Sequence, residues 1–153
     1  MDPETQITEH FKLKDFACHD GTPYPEEWIQ ERLVPHCLML EKIRTRTGNQ
    51  WIIVDSGFRT IAYDTVIWER SKKDGTVAPP TSSQHPKGRA SDDKHATLLP
   101  HEFFNIVLQM YEDGEIPELG GIGLYPTFVH VDTRPKIGNH LAIWGGSRPD
   151  NVL

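Results

Sequence analysis

The sequence predicts an α+β fold: a small antiparallel sheet packed with helices in a single domain spanning residues 1–153. Three observations predict it. Short apolar or β-branched runs lie at 51–55, 120–125 and 128–134, apolar residues recur at helical spacing over 26–47 and 100–113, and no internal repeat or low-complexity tract interrupts them. A chain of this length can bury roughly two thirds of its unfolded surface around one core. A monomer is expected.

Phe11-Lys12-Leu13-Lys14-Asp15-Phe16 opens a loop-rich stretch that runs into the turn formers Asp20-Gly21-Thr22-Pro23. From Glu26 to about Thr47, Leu33, Cys37, Leu40 and Arg44 recur at helical spacing beside Val34, Leu38 and Glu41, and Gly48 supplies the stop. Pro35 should kink this helix or divide it in two. Trp51-Ile52-Ile53-Val54-Asp55, bounded by Gly48-Asn49 and Ser56-Gly57, predicts a buried strand.

Between Tyr63 and Ser83 the sequence turns polar and broken, which predicts a mobile surface loop, either a substrate lid or an insertion. Phe103, Phe104, Val107, Leu108 and Tyr111 then mark a core helix from Pro100 to Asp113, with Gly114 at its end. Gly120–Tyr125 and Phe128–Arg134 predict two strands around a tight turn at Pro126. The tail after Gly138 is rich in Gly, Asn and Arg and has one anchor, Trp144.

Bulk properties exclude several functions. A net charge of -6 and a pI near 5.7 argue against a nucleic-acid partner, which needs a basic face. No run approaches the ~20 apolar residues of a membrane span, so no membrane insertion is expected. Met1-Asp2-Pro3-Glu4-Thr5 lacks the basic and apolar regions of a secretory signal. The expectation is a protein made in the cytoplasm, or a trimmed periplasmic or extracellular one. Cys18 and Cys37 are expected as free, partly buried thiols, and with no Cys-x-x-Cys pattern a cysteine-built zinc site is not suggested.

The chemistry is concentrated in Ser83-Gln84-His85-Pro86-Lys87-Gly88-Arg89-Ala90-Ser91-Asp92 and Phe128-Val129-His130-Val131-Asp132. Two imidazoles and a carboxylate, His85, Asp92 and His130, form a set with which proteins commonly hold a catalytic zinc while leaving one position open. Pro86 and Gly88 disfavour a continuous helix, so a turn should separate His85 from Asp92. Gly88 and Ala90 are small enough to let the backbone approach metal or substrate closely.

On the last strand His130, Asp132 and Phe128 share a face. Asp132 there can accept the other ring N–H of a ligating histidine or take a proton from water. The remaining histidines, His10, His19, His36, His95, His101 and His140, are expected to be surface or hydrogen-bonded residues. A metal-free cluster of His85, Asp92 and His130 would leave polar capacity that a core rarely tolerates.

Together, Ser83-x-His85-x-x-Gly88-x-Ala90-x-Asp92 and Phe128-Val129-His130-Val131-Asp132 resemble the signature of the zinc murein peptidases. That superfamily comprises the D-alanyl-D-alanine carboxypeptidases and phage L-alanyl-D-glutamate endopeptidases, and its fold is shared by the Hedgehog signalling domain. The likeness takes in Asp15-Phe16-Ala17-Cys18, Ser56-Gly57-Phe58-Arg59-Thr60-x-x-Tyr63 and Gly121-Ile122-Gly123-Leu124-Tyr125-Pro126, in that order. The resemblance implies a Hedgehog-like fold, with His85, Asp92 and His130 as zinc ligands and water in the fourth place. It implies an arginine, Arg59, facing the substrate carboxylate or the developing oxyanion, a role its fork of donors suits. Ser83 and Tyr63 would line the substrate groove.

The implied activity is zinc-dependent hydrolysis of a peptide bond in peptidoglycan, by a carboxypeptidase or endopeptidase, a phage lysis enzyme included. The alternative is a non-catalytic zinc-containing module of the same fold that binds the wall or builds a phage particle. The chain departs from the pattern at four places. Thr127 stands where many relatives have the carboxylate base, which leaves Asp132 as the candidate. Asp64 follows Tyr63 where Asn is usual, Asp93 follows Asp92 where an apolar residue is common, and the segment 65–82 is longer than usual.

Overall fold

A computed structural model describes residues 1–71 and 79–147. The N-terminal stretch predicted as loop pairs with itself: β1 (Gln6–Thr8) and β2 (Phe11–Lys12) form a two-stranded antiparallel sheet beside a helix, and a 3-10 turn follows at Leu13–Phe16. The long helical segment is continuous but changes winding. Glu26–Trp28 is 3-10, Ile29–Leu33 is a π turn, and α1 runs regularly over Val34–Arg46 with Pro35 in its first turn. Proline has no N–H to give to the preceding turn, and the regular α winding begins one residue before it, directly after the π turn.

β3 (Ile52–Ser56) follows, and then α2 (Ile61–Ser71) occupies the start of the segment predicted as a surface loop. Residues 61–71 contain neither Gly nor Pro, and the Thr60 hydroxyl caps the helix by accepting the Tyr63 N–H at 3.1 Å. The rest of that predicted loop, 72–78, lies outside the described residues. A short 3-10 turn at His85–Lys87 leads into β4 (Ala90–His95), and α3 (Pro100–Glu112), β5 (Gly121–Leu124) and β6 (Val129–Asp132) fall where the sequence predicts them. β7 (Ala142–Trp144) adds a strand in the predicted tail.

The main sheet has five strands in the order β3-β4-β6-β5-β7, antiparallel throughout except that β7 runs parallel to β5. It is thus mixed rather than purely antiparallel. β3 is an edge strand, and Ile53 on it is 49% exposed, which corrects the expectation of a fully buried strand. One sheet face carries Ile122, Val129 and Val131 onto Phe103, Phe104, Val107 and Leu108 of α3 and Met39, Leu40 and Ile43 of α1, in one continuous core. Area lost to solvent by such side chains is the main driving term, about 1.5–3 kcal/mol for each large one fully buried. Cys18 and Cys37 are free and buried within it.

Gly88 serves a different purpose from the predicted close approach to metal. It closes the 3-10 turn at φ +67°, and an added Cβ would lie 2.7 Å from the Tyr24 hydroxyl and 2.8 Å from the Trp28 ring. Tyr24 Oη donates to the Gly88 carbonyl at 2.7 Å inside the core. A Gly88→Ala substitution therefore meets both backbone strain and a clash. Urea denaturation should show a loss of about 1–3 kcal/mol, the range for strained positions and overpacked sites.

Candidate metal centre

The face of the sheet opposite the core is lined by polar side chains because strand residues alternate. His130 and Asp132 of β6 stand across from Gly123 and Gly121 of β5, and Asp92 of β4 is paired with His130. The 3-10 turn brings His85 over the same spot. His85, Asp92 and His130 are 4%, 5% and 6% exposed, and each offers one donor atom within 4.8 Å of the others. The three residues singled out from the sequence thus converge.

Hydrogen bonds orient both rings. His85 Nδ1–H donates to the Gly57 carbonyl at 2.7 Å, which leaves Nε2 facing Asp92 Oδ1 at 3.2 Å. His130 Nε2–H donates to Asp132 Oδ2 at 2.7 Å, and Nδ1 faces the same Asp92 oxygen at 3.1 Å. The rings meet edge to face with centroids 5.2 Å apart. A tetrahedral ion with ~2.0 Å arms needs donor separations of about 3.3 Å, so the spacing of each nitrogen from that oxygen fits one. The group could hold a metal ion.

Arg59, on the turn after β3, supports Asp92 from behind. Its Nη2 donates to Asp92 Oδ2 at 3.0 Å, Nη1 to the buried Asp64 Oδ1 at 3.1 Å, and Nε to Ser56 Oγ at 3.0 Å. Asp132 is fully buried and lies at the opposite ring nitrogen of His130 from Asp92. It accepts the Arg134 guanidinium through Nη2 at 2.6 Å and Nε at 2.8 Å. Asp64, Arg59, Asp92, His130, Asp132 and Arg134 thus form a row of alternating charge.

Burial disfavours the charged form of Asp92, but His85 and His130 outweigh it and hold the carboxyl below the usual carboxylate range. Burial also opposes charge on Asp132, where Arg134 and His130 hydrogen bonds prevail and lower its pKa. For His130 burial opposes protonation, yet the bonds to Asp132 and Asp92 raise its pKa to about 9. A cation entering the site therefore displaces a proton from His130.

Ser83 is buried beside the 3-10 turn and Tyr63 lies half-buried on α2 with its ring 6.1 Å from that of His19. Thr127 sits exposed in the β5–β6 turn. Several neighbours went unrecognised in the sequence. Trp144 packs its indole at a tilt against the His130 ring, centroids 4.9 Å apart, and donates from Nε1 to Tyr125 Oη at 2.9 Å. Two glycines make room for these groups. A Cβ on Gly123 would fall 2.3 Å from the Trp144 indole, and one on Gly121 would fall 2.4 Å from Asp132 Oδ2. Two glycines on one face of a strand were the available signal that something bulky approaches there. A groove of about 660 Å³ between β1 and α1, lined by His10, Leu38 and Glu41 among others, shares no residue with this cluster.

No protein-family model matches the chain, and no curated protein matches it. Among the described residues no helix is long and apolar enough to cross a membrane.

Two outcomes follow from the geometry. Asp132→Asn keeps the volume but weakens the hold on His130, and metal affinity measured by competition with a chromogenic chelator should fall about 10–100-fold. Because the folded pKa of His130 is raised, its contribution to stability is present below the ordinary value near pH 6.5 and is lost as pH rises through about 9. Metal-free protein should lose stability over that window, by up to a few kcal/mol in urea titrations, and metal-loaded protein should lose less.

Proposed function

We propose that this chain is a zinc-dependent peptidase acting on a peptide bond of bacterial peptidoglycan. The observation that carries the reading is the convergence of His85, Asp92 and His130, buried and oriented, at the positions the murein-peptidase resemblance implies. Two neutral nitrogens and one carboxylate oxygen make a donor set suited to zinc. When bound, zinc polarises a scissile carbonyl and lowers the pKa of water from 15.7 toward ~7.

The chain's own residues do the positioning. Gly57 and Asp132 fix the two rings so that a lone pair of each points inward. Arg59 occupies one Asp92 oxygen and leaves the other to the shared centre, so its part in this reading is to steady the ligand. Asp132 serves as the group that orients His130, since both of its oxygens are engaged by His130 and Arg134. The Trp144 indole packs against the His130 ring. Tyr63 and Ser83 are the candidate substrate contacts.

The second reading, a non-catalytic zinc-containing module that binds the wall or belongs to a phage particle, is favoured by one observation. Thr127 offers no carboxylate at the hairpin beside the site. Metal-loaded protein incubated with purified murein, with and without chelator, separates the two. Mass analysis should show new peptide fragments that disappear with chelator and in His85→Ala, with rates lowered at least about 10³-fold. Intact murein across several metals and pH values, with zinc retained, would establish the binding module instead.

A further inference from the structure

β4 carries a metal-ligand candidate yet gives the sheet almost nothing apolar: it reads Ala90-Ser91-Asp92-Asp93-Lys94-His95. Strand register is normally set by hydrophobic alternation, and a slip of one residue turns every side chain to the other face. In the observed register Asp92 stands opposite His130, while Ser91 and Asp93 stand opposite Val131 and Val129 on the core side. A slip in one direction would set Asp93 opposite His130, and in the other Ser91. Either would turn Asp92 into the core.

Arg59, His85 and His130 hold Asp92 on the site face, and on the core face the hold on its neighbour Asp93 comes from α1. His36 is 1% exposed and faces Ser91, with Nε2 2.7 Å from Ser91 Oγ, and the serine hydroxyl donates to Asp93 Oδ2 at 2.8 Å. With that hydroxyl hydrogen on Asp93, the imidazole Nε2–H is the donor to serine. The network is incompletely satisfied: His36 Nδ1 and Asp93 Oδ1 are buried without a hydrogen-bond partner. An apolar trio in the same space would hold the core at least as well, since replacing all partners of a buried polar network is often neutral or stabilising. Fixing register is the best-attested use for such a costly group.

We propose that His36 is a positioning residue that selects Asp92 over Asp93 as the metal-facing carboxylate, by holding Ser91 and Asp93 on the core side of β4. The proposal rests on the metal-site reading above but acts through strand register, which can be observed without metal. Three variants of the full chain test it: His36→Leu, which removes the donor; His36→Gln, which can place an amide N–H where Nε2 stood; and His36→Leu/Ser91→Ala/Asp93→Val, which gives β4 an apolar core face of its own.

Co²⁺ affinity and visible absorption are measured per folded molecule, with folding followed separately by circular dichroism. Cross-strand NMR contacts between residues 92 and 130 and between 91 and 131 are recorded on metal-free protein. His36→Leu should bind Co²⁺ about 10–100-fold more weakly, the range for loss of a ligand-orienting group, with an altered spectrum and weakened cross-strand contacts. His36→Gln and the triple variant should return within a few-fold of wild type. Wild-type affinity and contacts in a folded His36→Leu protein would overturn the proposal, as would a folded triple variant that binds no better than wild type stripped of Asp92 by Asp92→Ala. If the wild-type chain takes up no Co²⁺ the metal reading fails, and the NMR contacts alone decide: unchanged register in His36→Leu overturns the proposal, and lost register supports it.

Discussion

The site depends on a single carboxylate placed between three cationic or potentially cationic partners. Asp92 gives one oxygen to both imidazoles and the other to Arg59, and Arg59 in turn ties Ser56 of β3 and Asp64 of α2 into the same knot. Five elements, β3, α2, the His85 turn, β4 and β6, are fixed relative to one another at this point. A charge held this far from water costs several kcal/mol unless it is compensated. Compensation here comes from every side at once, so the loss of one partner strands the rest.

The row of alternating charge extends that logic across the sheet. Asp64, Asp92 and Asp132 are separated by Arg59 and His130, and Arg134 closes the far end. Like charges brought together in a low-dielectric setting would raise one another's pKa, whereas the cationic neighbours here hold Asp92 and Asp132 below the usual carboxylate range. The arrangement also explains why Gly121 is needed. The Asp132–Arg134 pair lies flat on β5, where any side chain would displace it.

How much of this was legible in the sequence follows the physics of each element. α3 and β5–β6 were readable because their burial is one-sided and periodic, and the turn at Pro126 is locally encoded. α1 was readable, with Pro35 marking where the winding becomes regular. β4 was not predicted, because a strand with polar residues on both faces carries no hydrophobic alternation and owes its place to its neighbours. α2 was hidden by the Gly- and Pro-rich sequence that follows it. The metal-site candidates were visible only through the identities of their neighbours, since an isolated histidine carries no spatial information. The partnership of Arg59 with Asp92 spans 33 residues, and that of His36 with Ser91 spans 55, beyond the reach of local pattern.

The indole beside His130 has an optical consequence. Tryptophan emission is quenched by open-shell ions at short range, and the Trp144 indole packs at a tilt against the His130 ring, centroids 4.9 Å apart, beside the candidate metal centre. A fluorophore native to the chain thus lies beside the candidate centre, and entry of Cu²⁺ or Co²⁺ there would be followed by light emission without any attached dye.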